Sequence, residues 1–252
     1  MRAIGYWMVM AATALGTSAG RADRPSAGSP LSKAAAIDAL RQAGARVEAD
    51  ETLSVEAVEA VNTKITDAAL ANLASLPELE SLEIAGGQVT DAGLVHLRKL
   101  PDLKRLYLRD LPITDAGLEH LAGLVNLEVL TLRNTQITSK GLAQLKALKE
   151  LQVLNLSKSA VGDAGLASLK GLTHLNTLGL QDTKVTGSGL AHLRPLAKLR
   201  VLNLSHCNIA DWALAYLEDS SNLRMLYVEG CHVTDVGVKK LYDLIPGLAI
   251  YR

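Results

Sequence analysis

Phenylalanine is absent from this chain of 252 residues, and two tryptophans and six tyrosines are its only aromatics. An interior built around large rings is therefore excluded, and any core must be assembled from Leu, Val, Ile and Ala. Cysteine is also scarce, at two residues, so there is no disulfide framework of the kind that staples small secreted folds. Net charge is missing: 26 Lys plus Arg balance 26 Asp plus Glu, whereas a general polyanion binder would be basic. Nucleic acid is not an expected partner. No phosphate loop, zinc-binding His pair or nucleophile elbow occurs. Gly187-Ser188-Gly189 comes nearest, but it sits at a loop and helix start rather than on the strand-to-helix turn an elbow needs.

Long apolar runs are missing as well. The longest, Ile4 to Leu15, follows Arg2 and precedes the small residues Thr17-Ser18-Ala19 and Gly20-Arg21-Ala22. It falls short of the roughly 20 residues of a membrane span and has the layout of a secretory signal peptide over residues 1–22. No stable membrane span is expected. Export to the periplasm, cell surface or extracellular space follows, with retention as an uncleaved anchor the other reading of the same segment. No Cys lies near the cleavage region to accept a lipid.

What the chain does have is a repeat. Val55, Leu79, Leu103, Leu127, Leu151, Leu175, Leu199 and Leu223 open eight units of 24 residues, each with apolar partners three and five residues later. A small or polar residue follows at unit position 9, Ile or Val at 11, usually Thr-Asp at 12 and 13, Gly or Ala at 15, and apolar residues at 16, 19 and 22. Alternation such as Leu106-Tyr107-Leu108 predicts a short strand with its leucines inward. The spacing of Leu94, Leu97 and Leu100 predicts a short helix returning along the outside. Thr and Asp at the helix start are expected to cap it, and the glycine at position 15 is expected to mark a crowded backbone. One unit cannot bury its own apolar stripe, so the units must stack into a continuous parallel sheet.

The cleanest copy, Leu199, Leu202, Leu204, Cys207 and Ile209, resembles the leucine-rich repeat signature. The Thr-Asp-Ala-Gly segment is similar to the cysteine-containing and ribonuclease-inhibitor-like subclasses and to exported bacterial repeat proteins. The resemblance implies an α/β leucine-rich repeat solenoid, a curved horseshoe with a parallel concave sheet and short convex helices. It also implies a noncatalytic scaffold for protein–protein interaction, without naming the ligand. No cofactor or metal is expected. Upstream, residues 23–31 read as a flexible linker. Residues 32–54 read as an N-terminal cap, with a helix from Ser32 to Ala43 and two strands around Asp50-Glu51-Thr52. The repeats then occupy 55–247, lengthened by one residue at Ile245-Pro246-Gly247, and 248–252 form a half coil.

In this fold the outward strand positions 3, 5 and 7 line the concave face, with 2 and 8 beside them. Arg105, Tyr107, Arg109 and Arg133, joined by Arg224 and Tyr227, are the partner-binding candidates, because Arg and Tyr combine contact area with directed hydrogen bonds. A second reading stands beside it: the charges solvate one face, with Glu80 and Glu83 pairing across strands to Arg105 and Arg109. On the convex side Trp212 and Tyr216, four residues apart, form a second candidate patch. Cys207 and Cys231 fall one repeat apart, at a separation compatible with a disulfide; the alternative is a ladder of small side chains bonded to the loop backbone. The flanking His206 and His232 invite a metal reading, which fails because four ligands could not converge. The expected protein is a monomer that binds a protein ligand. The alternatives are a surface adhesin or glycan-binding receptor, with tyrosines stacking on sugars, and a ubiquitin-ligase-like substrate adaptor suggested by F-box repeat proteins. Residues 23–54 are too short for an F-box plus a cap.

Overall fold

The computed structural model describes residues 30–252, with side chains from Lys33 onward. The expected signal peptide and nearly all of the linker lie outside the described residues. Among the described residues ten strands form one sheet in sequence order, β1 (Arg46–Ala49) to β10 (Ala249–Tyr251). Only β1 runs antiparallel to its neighbour, β2 (Val55–Val61); every later pair is parallel. Among the described residues no helix is long and apolar enough to cross a membrane.

The 24-residue period is the register of this sheet. Val58, Leu82, Leu106, Leu130, Leu154, Leu178, Leu202 and Leu226 pair in file and are almost fully buried. Ile250 continues the file opposite Leu226, so the register absorbs the expected one-residue lengthening near Gly247. Parallel files are formed by Ile65, Val89 and Ile113 in the loops and by Leu94, Leu118 and Leu142 on the convex side, all at 0% exposure. Each fully buried Leu or Ile contributes roughly 1.5–3 kcal/mol, and the buried core of the described residues is aliphatic apart from Cys207.

The N-terminal end is covered by helix α1 (Pro30–Gln42) and the β1–β2 hairpin. The helix starts two residues before Ser32, at a proline, which the first helical turn tolerates because its N–H would be unbonded there. Lys33, itself buried, forms an ion pair with Glu78 and so ties the helix to the first coil. Asp50 closes the hairpin turn by accepting from the Thr52 amide, the Thr52 hydroxyl and the Ser54 amide at 2.7–2.9 Å.

Before the last coil, whose convex segment is a regular α-helix over Asp235–Leu244, the convex segments are shorter and tighter. A single α-turn such as Asp91–Leu94 runs into a 3-10 turn such as Val95–Lys99, as suits coils that must return every 24 residues. Thr90, Thr114 and Thr138 cap their turns, each Oγ1 accepting the amide two residues on at 3.3 Å, whereas Thr66, Thr186 and Thr234 make no such bond. Asp does something different from the expected capping. Asp67, Asp91, Asp115, Asp163 and Asp211 reach the next coil, and each accepts both the amide and the hydroxyl of the threonine 23 residues on, at 2.5–2.8 Å. This clamp explains the glycines. A Cβ on Gly93, Gly117, Gly141, Gly189 or Gly237 would lie 2.3–2.4 Å from the clamping Asp Oδ1. Ala213 is allowed because position 187 of the preceding coil is Gly rather than Asp.

Two of the clamping carboxylates titrate low. Burial works to raise Asp163, but the bonds from Thr186 and Ser188 outweigh it; at Asp211 the Thr234 bonds dominate. A carboxylate with a folded pKa below its unfolded value of about 3.9 stabilises the fold above that value. The contribution is lost as pH falls through the folded pKa. The variant Asp163→Asn/Asp211→Asn is expected to show a shallower fall of Tm below about pH 4 than the parent. Parallel curves would show that these bonds do not depend on charge.

Unit position 8 lies at φ +52° to +69° in every coil: Asn62, Gly86, Asp110, Asn134, Lys158, Asp182, His206 and Gly230. This left-handed residue turns the chain out of the strand while its amide still bonds the next coil, as Asn134 N does to Ser157 O at 2.9 Å. Gly, Asn and Asp tolerate the conformation; Lys158 has neither a missing Cβ nor a short amide or carboxylate to help it. Lys158→Asn is therefore expected to gain about 0.5–1 kcal/mol, read as a higher urea midpoint. An unchanged midpoint would mean that the coil already absorbs the strain.

Candidate functional site

Pleating sends unit positions 3, 5 and 7 to the concave face, where they pair strand to strand: Arg105 with Val129, Tyr107 with Thr131 and then Asn155. The first side of this face is acidic, with Glu59 and Glu83 in the file that continues to Tyr107. Three ion pairs neutralise part of it, the first between Arg46 and Glu59 at 3.8 Å. Lys104 Nζ meets Glu80 at 2.8 Å, and Arg109 pairs with Glu83. Cross-strand pairing is thus real for Arg109, while Glu80 takes Lys104 rather than Arg105.

The side chains of Arg105 and Arg133 have no hydrogen bond or ion pair among the described residues. Tyr107 stands half-buried beside Arg105, with Arg133 one coil further on; burial pushes the Tyr107 phenol pKa up and Arg105 pulls it the other way. These three side chains form a cationic, aromatic-centred cluster. Arg224 does not join it. Its guanidinium turns back to the carbonyls of Ser221 and Leu223 at 2.8 and 2.9 Å. Tyr227, five rungs of the sheet from Tyr107, stacks on Tyr251 with ring centroids 4.6 Å apart.

Between the two aromatic ends the floor is small. Thr131, Asn155, Ser157, Thr177, Gly179, Asn203 and Ser205 face the concavity yet are all buried, because short side chains on an inward-curving sheet are shaded by their neighbours. Asn155 Oδ1 accepts the Ser157 amide and Asn203 Oδ1 the Ser205 amide, at 3.0 and 2.9 Å. Both acceptors are spent on the protein's own backbone. The sequence signal of this floor is the drop in side-chain size from Tyr107 to Asn155, Ser157 and Gly179.

On the convex side Trp212 is 59% exposed and meets Tyr216 edge-on, with centroids 6.3 Å apart. Its ring lies over Gly187 of the preceding coil, in the space that an Asp would otherwise use. The disulfide between Cys207 and Cys231 is not formed; both thiols are free. Stacked parallel rungs point both side chains the same way, so each thiol donates to a carbonyl of the coil before it: Cys207 to Leu180 at 3.0 Å and Cys231 to Leu204 at 3.1 Å. Burial pushes both thiols up in pKa. The backbone-bonded ladder is the arrangement present, joined by Thr135, Ser159 and Thr183 on their own coils. His206 leans over Gly230, away from the buried Cys207.

A file of 24-residue coils, with parallel strands inside the curve and short helical turns outside, defines a leucine-rich repeat solenoid. The comparisons agree. A family model described as Leucine Rich repeat matches residues 149–170, 196–214 and 219–241. The crystal structure of an internalin C2 from Listeria monocytogenes is similar over 84% of this chain and 100% of its own, with TM-score 0.57 and 25% identity. A search of curated protein sequences gave no match. This chain is a leucine-rich repeat protein, of a class whose members are generally noncatalytic interaction scaffolds.

Proposed function

We propose that this chain is an exported, noncatalytic, monomeric scaffold that binds a protein partner through its concave sheet. The observation that carries the reading is the cluster of Arg105 and Arg133, without ion-pair partners, around half-buried Tyr107. Arginine and tyrosine in that setting are the residue types that dominate binding energy in protein interfaces. Export rests on the apolar N-terminal segment, and the likeness to an internalin supports a secreted or surface location. The glycan-receptor reading is weaker, because Tyr227 and Tyr251 spend one face each on one another.

Crosslinking in the native cell envelope, with partners identified by mass spectrometry, tests this against the variant Arg105→Ala/Tyr107→Ala/Arg133→Ala. Arg109 is left intact because its removal would strand Glu83. A protein captured by the parent and lost from the variant is the expected result, with a drop in affinity of about 10²-fold or more for three anchors. Equal capture by both would move the site off this face.

A further inference from the structure

The small floor between β5 (Val129–Thr131) and β8 (Val201–Asn203) is more than a gap between two aromatic ends. Asn155 and Asn203 are 6% and 8% exposed, and Ser157 and Ser205 are 2% and 5%. Both Asn oxygens are engaged by backbone amides, so what each Asn offers outward is its Nδ2. Neither Nδ2 has a hydrogen-bond partner, nor do the hydroxyls of Ser157 and Ser205, among the described residues. The two amide nitrogens are not among the sealed polar atoms either, so a ligand can reach them. Water can serve these donors in the free protein, and a ligand that displaces it must supply acceptors in its place. The row is donor-rich, and its complement is a line of acceptors.

The spacing restricts the acceptor. Asn155 and Asn203 sit two rungs apart, with Gly179 between them, so their donors recur at about 9.6 Å. A polyproline II segment has three residues per turn and a rise of about 3.1 Å, which places equivalent carbonyls about 9.3 Å apart on one side. A β-strand repeats its carbonyl direction every two residues, at about 6.6 Å, and misses the match. Gly179 leaves room for the side chain that falls between the two carbonyls. Arg105 and Arg133, at the β4 (Arg105–Arg109) side of the floor, favour a carboxylate there.

The geometry points to an acidic protein segment in polyproline II conformation as the occupant of this floor, with its carbonyls on Asn155 and Asn203 and a carboxylate at Arg105 and Arg133. This rests on the concave-face reading above. A displayed library of random linear peptides, selected on the full chain, tests it. The expected winners carry Pro together with Asp or Glu, and they lose at least about tenfold in affinity on Asn155→Asp/Asn203→Asp. In that variant each new carboxylate still accepts its Ser amide but has no N–H to donate. Gly179→Tyr, a residue the same file already carries at 107 and 227, is expected to block binding by filling the hollow.

Peptides lost on Arg105→Ala/Arg133→Ala but unaffected by both floor variants would overturn the seat and leave the concave reading standing. Peptides indifferent to all of these and lost only on Trp212→Ala would overturn both. A selection yielding no acidic Pro-bearing peptide overturns the seat. So does binding of oligosaccharides on a glycan array that is abolished by Gly179→Tyr.

Discussion

Gly141→Ala is expected to destabilise the protein by about 2–4 kcal/mol, the opposite sign to the gain of about 1 kcal/mol that the same change gives in an unconstrained helix. The new Cβ would stand 2.3 Å from Asp115 Oδ1 and 2.8 Å from its Cγ. Carbon and oxygen cannot approach so closely, and Asp115 cannot yield without giving up the Thr138 amide and hydroxyl at 2.8 and 2.5 Å. Those are bonds to a charged acceptor, each carrying about 1.5–3 kcal/mol. Gly165→Ala is the internal control. Its preceding coil has Ser139 in place of Asp, and the nearest atoms to a new Cβ are at 3.1–3.2 Å, so its cost should stay near 1 kcal/mol or below. In the double variant Asp115→Ala/Gly141→Ala the two losses should fall short of their sum by about 1 kcal/mol or more, the mark of one shared interaction. Urea unfolding of the four proteins decides it. Strict additivity, or a Gly141→Ala protein as stable as the parent, would mean that the clamp does not hold its carboxylate in place.

That clamp also marks where a single sequence is readable and where it is not. The strand, the core files, the solenoid and the concave positions all follow from periodicity, because apolar burial repeats with the backbone. Asp in a Thr-Asp pair reads as a local helix cap, since both residues stand at the helix start and each can serve an exposed amide. Its true partner lies 23 residues on, and nothing local points there. The signal was a correlation instead: Gly187 replaces Asp in the same joint where Ala210 replaces Thr and Ala213 replaces Gly. Position 8 was legible in the same way, through its Asn, Gly and Asp residues, which a left-handed turn prefers. For the concave cluster, charge and aromaticity drew attention to Arg105, Tyr107 and Arg133. They also drew it to Arg109, which is paired, and to Arg224, which is folded onto backbone. Pairing depends on side-chain reach between rungs, which spacing alone leaves open. Asn155 and Asn203 carried no such flag, because shading by sheet curvature is not written in residue type.

The Gly187–Ala210 joint is expected to be the weakest in the solenoid. Coils of a repeat protein couple mainly to their neighbours, so losing two bonds to a carboxylate lowers the cooperativity between the coils on either side. Native-state hydrogen exchange should show amides of Leu202, Leu204 and Leu226 opening at a free energy about 2 kcal/mol below those of Leu106 and Leu130. Restoring the clamp needs four changes together. Gly187→Asp alone would drive a Cβ to 2.6 Å from Ala213 Cβ and 2.7 Å from the Trp212 ring, and it should destabilise. Gly187→Asp/Ala210→Thr/Trp212→Ala/Ala213→Gly recreates the arrangement that Asp115 makes with Thr138 and Gly141. It should raise the opening free energy of the C-terminal coils by about 2 kcal/mol while leaving the N-terminal coils unchanged. The loss of Trp212 offsets little of this, since most of its surface faces solvent. If the four-residue variant gains nothing, coupling between coils resides in the buried leucine files and the sheet ladder alone, and the clamps act only to position the convex turns.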